Sequence, residues 1–521
     1  MYPASRIMRR ARTQYADRIA VIDGDIRLTY AQFTDRIDRL ASALIGLGLT
    51  RGDRVAILDW NSLRYLETYY ACLQAGLAFM PLNARLAPAE LDYIFNDSEA
   101  RALLMSAPFV GDWEELRGRT PSIEIAIAMD IENPPAGLHD YEDLLTRAQP
   151  QAEPVVSGPD DIVQIYYTSG TTGDPKGVCL TDQNLFYCGV DSSMVMDFKA
   201  DSIWLHSAPM FHLADALALW TVPLSGGSQV VVQFESHLVL DLIQTERVTI
   251  TSLPATLISM IANLPDIGKY DLSSLTQIMY GGSPTPLGVL RKAAETFPEN
   301  LFLHSYGITE TTGLACCLDP HEHSLHVPEG GVHRAASGGH ATPFIDARIV
   351  DDDGNDLPIG EIGEAVFSGP KIMKEYWCKP AATAAALKDG WYHTGDMGYF
   401  DDTQSIYLVD RKKDMIITGA ENVYSVEVEN LISTHPSVLE VAVIGVPDPQ
   451  WIEVVKAVVV PREGAPVDEA ELIEFCRGRI ANYKIPKSLD FTDQPLPKTG
   501  PGKIAKRRLR DPYWEDEKRN I

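Results

Sequence analysis

The sequence predicts an α/β protein: a large N-terminal region of two doubly wound sheets with a small β-barrel subdomain, followed by an α+β C-terminal domain. Three observations support this prediction. Helix and strand patterns alternate over about 28–127 and again after 181, short alternating strands occupy about 338–409, and a new helix–strand series begins after Asp410. The 521 residues also exceed what one hydrophobic core normally serves, so several domains are expected.

The first part of the chain shows the alternation most clearly. Residues 29–47 have apolar side chains at helical spacing, and Gly48 follows them. Short apolar runs at 55–58 and 78–82 predict strands, and 62–75 predicts the helix between them. Such alternation gives a mostly parallel sheet with helices on both faces.

The stretch at 167–178 (YTSGTTGDPKGV) carries the strongest functional signal. It follows a β-branched strand pattern at 162–166, and its glycines free the backbone so that successive N–H groups can bind anionic oxygen. Lys176 adds a positive charge. The stretch is not a Walker A loop, because Pro175 precedes the lysine and Gly177 follows it. It predicts a phosphate-binding loop; the alternative is a flexible surface turn.

The strand–helix pattern resumes after this loop. Thr181 is a candidate N-cap for a helix through Met194, and strands are predicted at 229–234, 248–253, 275–280 and 301–304. Polar or glycine-rich residues follow the motif-bearing strands. Because ligands bind outside the carboxyl ends of parallel strands, these separated segments are expected to meet in one crevice.

The remaining elements are predicted from shorter patterns. Strands at 347–350, 364–368 and 406–409 compose the β-barrel subdomain, placed at about 338–409 within an N-terminal domain of 1–409. A helix near 426–433, strands at 438–444 and 454–460, and a helix at 468–480 form a C-terminal domain, 410–521, of about 110 residues.

Composition excludes several classes of function. A formal charge of −27 argues against binding nucleic acid or anionic lipid, and no apolar run is long enough to span a bilayer. Seven cysteines without a CxxC pair fit reduced thiols better than disulfides or zinc. A cytoplasmic protein is expected, since the N-terminus lacks the pattern of a signal peptide.

Seven segments in register resemble the acyl-adenylate-forming (AMP-binding) superfamily, which includes acyl-CoA synthetases, firefly luciferases and nonribosomal peptide adenylation domains. The match is to the fatty-acid or aryl-acid CoA ligase branch. The segments are 167–178, 209–212 (PMFH), 281–284 (GGSP), 306–313 (YGITETTG), 391–396 (WYHTGD), 410–414 (DRKKD) and 497–504 (PKTGPGKI).

The resemblance implies a two-step reaction with ATP, Mg²⁺ and coenzyme A. A carboxylate attacks the α-phosphorus of ATP, giving acyl-AMP and pyrophosphate, and the CoA thiol then displaces AMP. Because two anions must meet in the first step, positive groups and metal are expected to carry most of the catalysis.

The resemblance also assigns roles to residues. Lys503 bridges carboxylate and phosphate, Thr168 and Glu310 hold Mg²⁺, and His212 lines or gates the acyl site; these four are the catalytic candidates. Without the motif, Lys503 would be read as a solvated lysine of a basic tail. The expected ATP contacts are Thr168, Ser169, Gly170, Thr171, Thr172, Gly173, Lys176, Gly282, Ser283, Pro284, Ser305, Tyr306 (stacked on adenine), Gly307, Thr309, Glu310, Asp396 (on the ribose hydroxyls), Arg411 and Lys503.

In the second step the family swings its C-terminal domain about a hinge, here Asp410. The motion is expected to withdraw Lys503 and bring in a CoA-binding loop with Gly419, Ala420 and Glu421. The chain departs from the family pattern at Ala420, Ser425, Asp182 and 500–501, and none of these departures removes a charge that the chemistry needs.

The acyl pocket is expected to be lined by His212, Ala214, Gly281, Gly313 and Leu314. Small lining residues without lysine or arginine favour a hydrophobic monocarboxylate, fatty or aromatic. The run His321-x-His323-x-x-His326 could bind a metal, but such loop histidines more often face solvent.

Several alternatives stay open. An acyl-AMP ligase or free-standing adenylation enzyme would load a carrier protein, although the chain ends soon after Lys503 and we expect no fused carrier domain. A luciferase-like oxygenase and a non-catalytic binder are less favoured, because Lys176, Glu310, Asp396 and Lys503 are all present. The resemblance leaves a homodimer open.

Overall fold

The computed structural model describes residues 2–151, 153–168, 175–282, 285, 287–326, 333–418, 421–448, 450–498 and 504–514. Within these ranges the chain forms four sheets with helices packed between and around them. None of the helices so described is long and apolar enough to cross a membrane.

One large sheet has eight strands in the described part of the chain, in the order β19-β9-β8-β4-β3-β5-β6-β7. It is parallel from β8 to β7, and β9 and β19 are added antiparallel. Its strands are β3 (Arg54–Leu58), β4 (Ala78–Pro81), β5 (Ala102–Met105), β6 (Ile125–Ala128), β7 (His139–Asp140), β8 (Ile162–Thr168), β9 (Lys176–Thr181) and β19 (Glu375–Tyr376).

The second large sheet has nine strands over the same ranges, in the order β16-β15-β14-β13-β12-β10-β11-β1-β2. It is parallel from β14 to β1 and antiparallel at both edges. Its strands are β1 (Ile19–Asp23), β2 (Ile26–Thr29), β10 (Ile203–His206), β11 (Ser228–Val231), β12 (Ile250–Ser252), β13 (Gln277–Gly281), β14 (Phe302–Tyr306), β15 (Cys316–Leu318) and β16 (His340–Ala341).

The two large sheets share one hydrophobic core. Alternate residues of a strand point to opposite faces, so Val55 and Ile57 of β3 join the shared core while Ala56 and Leu58 join a separate outer cluster. Met279 of β13 reaches the same shared core from the other sheet. The two doubly wound sheets expected from the sequence are therefore present and packed together.

The helices predicted at 29–47, 62–75, 181–194 and 426–433 match α2, α3, α7 and α14 within one residue at each end, and the one predicted at 468–480 ends earlier, at Cys476. Thr29 and Thr181 cap α2 and α7 through capping boxes, and Gly76 ends α3 in the left-handed conformation. The helices are α1 (Ile7–Tyr15), α2 (Tyr30–Gly46), α3 (Leu63–Ala75), α4 (Pro88–Ser98), α5 (Val110–Leu116), α6 (Tyr141–Arg147), α7 (Asp182–Val195), α8 (Leu213–Ala216), α9 (Ala218–Ser225), α10 (Ser236–Thr245), α11 (Ala255–Ala262), α12 (Leu287–Ala294), α13 (Pro380–Ala386), α14 (Ser425–Ser433), α15 (Glu469–Cys476) and α16 (Lys506–Trp514).

The predicted β-barrel subdomain is an antiparallel half-barrel, since its strand order does not close on itself among the residues described. Its order is β17-β18-β21-β20, with β22 paired to β21. The strands are β17 (Asp346–Val350), β18 (Gly363–Ser368), β20 (Leu387–Lys388), β21 (Trp391–Phe400) and β22 (Ile406–Arg411).

The C-terminal region is an α+β structure, as the sequence predicts. The strand order of its sheet is β24-β23-β26-β25, with β27 paired parallel to β26, and α14 and α15 pack on its core. The strands are β23 (Ile416–Thr418), β24 (Glu421–Val423), β25 (Val438–Asp448), β26 (Ile452–Pro461) and β27 (Ser488–Phe491).

Candidate active site

The predicted phosphate loop joins two antiparallel strands. Thr168 at the end of β8 pairs with Lys176 at the start of β9. The lysine side chain is therefore placed beside the threonine by strand register. The intervening candidates Ser169, Gly170, Thr171, Thr172 and Gly173 lie outside the described residues.

Strands β13 and β14 end side by side at one edge of the nine-stranded sheet, where Gly281 pairs with Ser305. Gly281 has a φ of +150°, and a Cβ there would lie 1.9 Å from the Ser305 carbonyl oxygen, so no other residue fits. Gly282 follows at the exposed end of the strand. The adenine-side candidates Ser283 and Pro284 fall outside the described residues.

The turn after β14 is also held by a close backbone approach. A Cβ on Gly307 would lie 1.8 Å from the carbonyl oxygen of Gly313, so the segment folds tightly back on itself. Thr309 and Glu310 occupy a single 3₁₀ turn between these glycines. One compact turn therefore holds Tyr306, Glu310 and Gly313, the candidates of this motif for adenine, Mg²⁺ and the acyl group.

Three predicted nucleotide contacts form one hydrogen-bonded set. The Tyr306 hydroxyl donates to Asp396 Oδ2 at 2.7 Å, and Arg411 Nε lies 3.1 Å from Asp396 Oδ1. Asp396 and Arg411 face each other across the β21–β22 ladder. Burial, and then the neighbouring Asp396 charge, raise the pKa of Tyr306, so the phenol stays neutral.

A second set surrounds Glu310. The Tyr376 hydroxyl donates to Glu310 Oε1 at 2.7 Å, and Lys176 Nζ lies 5.3 Å from the centroid of the Tyr376 ring. The backbone N–H of Met373 donates to the Glu310 carbonyl at 2.8 Å. Desolvation raises the pKa of Glu310, so a cation beside it would favour its charged form.

Thr168 and Glu310 offer a hydroxyl and a carboxylate, the hard oxygen donors that suit Mg²⁺. No group of three or more His, Cys, Asp or Glu side chains in the described residues could hold a metal ion by itself. Mg²⁺ usually binds through one or two carboxylates together with substrate phosphates, so this sparse donor set fits it.

The acyl-pocket candidates come from α8 and from the turn after Glu310. His212 precedes α8, its carbonyl accepts from Asp215 and Ala216 at 3.2 Å, and Ala214 lies on the first turn. Gly313 has a φ of +92°, and a Cβ on it would lie 3.4 Å from Leu213, so the turn packs on α8. Leu314 beside it is fully buried.

Asp410, the predicted hinge, is buried at the end of β22. Its Oδ2 accepts from the backbone N–H of Ser425 at 2.5 Å and from the Ser425 hydroxyl at 2.6 Å. Lys506 Nζ donates to the same hydroxyl at 2.5 Å and lies 2.8 Å from Glu429 Oε1. Desolvation raises the pKa of Asp410.

The predicted catalytic lysine and the predicted CoA loop are not among the side chains that the structure describes. Lys503, Gly419 and Ala420 are outside the described residues, and for Glu421 only the backbone, at the start of β24, is described. Their predicted roles in catalysis and CoA binding stay predictions.

One expectation about the histidine run was wrong. His323 does not face solvent: it is buried, and its Nε2 lies 2.9 Å from the Tyr280 hydroxyl. His304 stacks on the same tyrosine with ring centroids 4.6 Å apart. His321 and His326 are exposed, as expected. The error arose because Tyr280 is 43 residues away in sequence and no local pattern indicates the contact.

Two residues of this site were not predicted. Tyr376 reaches Glu310 because β19 pairs with β9, where Tyr376 faces Val178. Lys371, in the segment that leads to β19, donates from its ammonium to the Leu314 carbonyl. Both depend on pairing between distant parts of the chain. Residues 369–375 show neither a helix nor a strand pattern, so nothing in the sequence around Tyr376 indicates its contact with Glu310.

Comparison with known proteins places this geometry in a family. Residues 8–377 match the model of the AMP-binding enzyme, and residues 427–503 match the AMP-binding enzyme C-terminal domain. The chain belongs to the AMP-binding enzyme family. It is an AMP-forming acid–thiol ligase, in agreement with the resemblance noted in its motifs.

Individual AMP-binding relatives are similar over nearly their whole length. A feruloyl-CoA synthase of Amycolatopsis sp is 41% identical over 495 residues, which are 94% of this chain and 95% of the relative. An indoleacetate–CoA ligase of Aromatoleum aromaticum is 40% identical, over 93% and 92%. The crystal structure of the anthranilate CoA ligase AuaEII with anthranoyl-AMP aligns with a TM-score of 0.89, at 26% identity, over 99% and 98%.

Proposed function

We propose that this enzyme activates a hydrophobic carboxylic acid, fatty or aromatic, as acyl-AMP at the expense of ATP, and transfers the acyl group to coenzyme A. The observation that supports this most directly is the joining of Lys176, Tyr376 and Glu310 beside the turn that packs on α8. In this arrangement Lys176 and Glu310, the candidate ligands of pyrophosphate and Mg²⁺, lie next to Gly313 and Leu314. We call these last two residues the candidate acyl wall.

In the first step the acid's carboxylate oxygen attacks the α-phosphorus, and the bond to the β-phosphate breaks. Lys176 carries positive charge toward the departing pyrophosphate, while Asp396 accepts from the ribose hydroxyls and Tyr306 covers the adenine. Thr168 and Glu310 would hold Mg²⁺, which supplies further positive charge to the phosphate oxygens. Tyr376 keeps one Glu310 oxygen occupied and so orients the other.

In the second step the CoA sulfur attacks the acyl carbon, and the mixed anhydride bond to AMP breaks. The hinge at Asp410 turns the lid domain, 410–521, between the two steps. Lys503 serves the first step, and the loop with Gly419, Ala420 and Glu421 serves the second.

An aromatic acid is the first choice of substrate within this class. The relatives above are named for ferulate, indoleacetate and anthranilate, which are all aromatic acids. A Cβ on Gly313 would lie 3.4 Å from Leu213, so this glycine keeps the side of the pocket next to α8 free of a side chain, as a flat ring requires. The candidate lining residues include no lysine or arginine that would pair with a second carboxylate.

The test is a panel of aryl, arylacetic, medium-chain and long-chain acids assayed with ATP, Mg²⁺ and CoA. Pyrophosphate release and thioester formation are measured separately. We expect both with at least one hydrophobic monocarboxylate. Pyrophosphate release with acyl-AMP accumulation and no thioester would instead indicate a ligase that loads a carrier protein, and failure of every acid would overturn the proposal.

A further inference from the structure

Lys371 and Asp191 form an ion pair that is completely buried behind the candidate acyl wall. Asp191 lies on α7 and Lys371 on the segment that leads to β19. The Lys371 ammonium also donates to the Leu314 carbonyl at 2.5 Å and to the Thr342 hydroxyl at 2.9 Å. With the carboxylate, these acceptors use all three of its hydrogens.

The turn formed by Thr312, Gly313 and Leu314, the 312–314 turn, is fixed by this lysine at two points. The Thr312 hydroxyl donates to the Lys371 carbonyl at 2.5 Å, while the Lys371 ammonium holds the Leu314 carbonyl. Cys188 Sγ donates to the Thr312 carbonyl at 3.1 Å from the α7 side. Thr312 itself has a φ of +53°, which a threonine adopts only when its surroundings hold it there.

The same segment continues to the candidate metal ligand. Two residues after Lys371, Met373 donates its N–H to the Glu310 carbonyl, and Tyr376 reaches the Glu310 carboxylate. One stretch of chain therefore supports the acyl side and the phosphate side of the site. A shift of Lys371 would displace the 312–314 turn first, because the polar atoms of Lys371 contact that turn directly.

Stability alone does not explain the pair. Removing two charges from water is expensive, and well-packed apolar residues usually replace such a pair without loss of stability. The ammonium instead fixes the relative positions of its neighbours, because each of its three hydrogens bonds an acceptor on a different part of the chain. It also has no hydrogen left for a substrate carboxylate, so it is not itself a substrate contact.

We propose that Lys371, held by Asp191, is a positioning residue that sets the position of the 312–314 turn and thereby determines which acids the pocket accepts. This inference rests on the proposed function, since it concerns the acyl pocket of that reaction. Both residues act through the turn, without touching the acid.

The experiment compares Lys371→Met with the double variant Lys371→Met/Asp191→Leu. The single variant leaves a buried carboxylate unpaired and is expected to lower Tm by more than about 5 °C. The double variant removes both charges and is expected to recover most of that loss. Its kcat/KM for the preferred acid is still expected to be about 10- to 100-fold below wild type, with KM for ATP within about 2-fold and preference shifted among acids of different size.

Two further variants complete the test. Thr342→Val removes one partner of Lys371 but keeps the ion pair, and is expected to raise KM for the acid about 2- to 5-fold even if Lys371→Met does not fold. Lys456→Met, which breaks the Lys456–Asp490 pair in the C-terminal sheet, is the matched control and should leave KM for the acid unchanged.

Wild-type KM and acid preference in a stable double variant would overturn the inference and leave the pair a purely structural one. Equal losses for acid and ATP would overturn it as well, because they would place the effect outside the acyl wall. If wild type itself activates no acid, the proposed function has failed, and that result is visible before any variant is made.

Discussion

At the scale of single residues, Tyr376 has the clearest consequence for activity. Its hydroxyl donates to Glu310, and its ring lies against the Lys176 ammonium. We expect Tyr376→Phe to lower kcat/KM for ATP by about 10- to 100-fold, because a hydrogen bond to a charged group contributes about 1.5–3 kcal/mol and the cation–π contact remains.

Tyr376→Leu removes both contacts and should cost more than Tyr376→Phe. Acid-dependent exchange of pyrophosphate into ATP measures the effect without the second step. Tyr399→Phe is the matched control, since Tyr399 stacks on Tyr407 in the half-barrel and is not one of the candidate site residues. Equal rates in Tyr376→Phe and Tyr399→Phe would contradict the role of the hydroxyl.

Two histidines, His323 (buried) and His304 (half-buried), predict a pH dependence of stability. Desolvation lowers the pKa of His304 and of His323 to about 4, below the ordinary value of 6.5. The folded state therefore resists their protonation: the stability is fully present above about pH 6.5 and is lost as pH falls toward 4. Each group accounts for up to about 3 kcal/mol.

His323→Gln should flatten this dependence. We expect the free energy of unfolding to fall less steeply between pH 6.5 and pH 4 in the variant than in wild type, as measured by urea denaturation at a series of pH values. His321→Gln, at an exposed position two residues away, should follow the wild-type curve. Parallel curves for wild type and His323→Gln would show that the loss has another source.

At the scale of elements, the start of α14 is tied to the end of β22. Ser425 donates both its N–H and its hydroxyl to Asp410 and accepts from Lys506 of α16. Ser425 is the first residue of α14, a position where proline is well tolerated in helices. Ser425→Pro thus keeps the helix but removes both donors.

We expect Ser425→Pro to loosen the segment around Asp410. Loss of two hydrogen bonds of about 1 kcal/mol each should raise amide hydrogen exchange at 410–413 by about 10-fold or more. Ser425→Ala, which retains the N–H, should show an intermediate increase. Unchanged exchange in Ser425→Pro would mean that these contacts do not restrain the segment.

Elements with a strong local pattern were the ones that the sequence predicted well. The helix at 29–47 and the strands at 55–58 and 78–82 match α2, β3 and β4 within two residues. Strands β9 and β10 were not predicted, because each directly follows a motif or turn whose residues obscure the start of its apolar pattern. β19 has two residues and exists through its pairing with β9.

The candidate site divides in the same way. Residues in long motifs, such as Tyr306 and Asp396, were named from the sequence and lie in hydrogen-bonded contact. Tyr376, Lys371 and the burial of His323 depend on contacts between segments distant in sequence. Local periodicity reports which face of an element is apolar, and carries no information about which distant element covers it.

At the scale of the whole molecule, the site is assembled from separate layers. The eight-stranded sheet supplies Thr168 and Lys176, the nine-stranded sheet supplies Tyr306, and the half-barrel supplies Asp396 and Arg411. No layer holds a complete set of candidates, so the site forms only when the layers have packed. Variants that loosen the shared core are therefore expected to lose ATP binding together with stability.

The two steps of the proposed reaction make different demands on the lid domain, and this yields a prediction for Lys503. Lys503→Ala should lower acyl-AMP formation by at least about 100-fold, because an ammonium that bridges two anions is worth several kcal/mol in a site that excludes water. Transfer from supplied acyl-AMP to CoA should stay within about 3-fold of wild type, since the lid has by then turned Lys503 away.

Lys498→Ala is the matched control, as Lys498 is paired with Glu440 on the C-terminal sheet. It should leave both half-reactions intact. Pyrophosphate release measures the first half-reaction, and consumption of synthetic acyl-AMP with CoA measures the second. Equal loss of both halves in Lys503→Ala would contradict the alternation of the lid, because a side chain needed in both steps would have to remain in the site throughout.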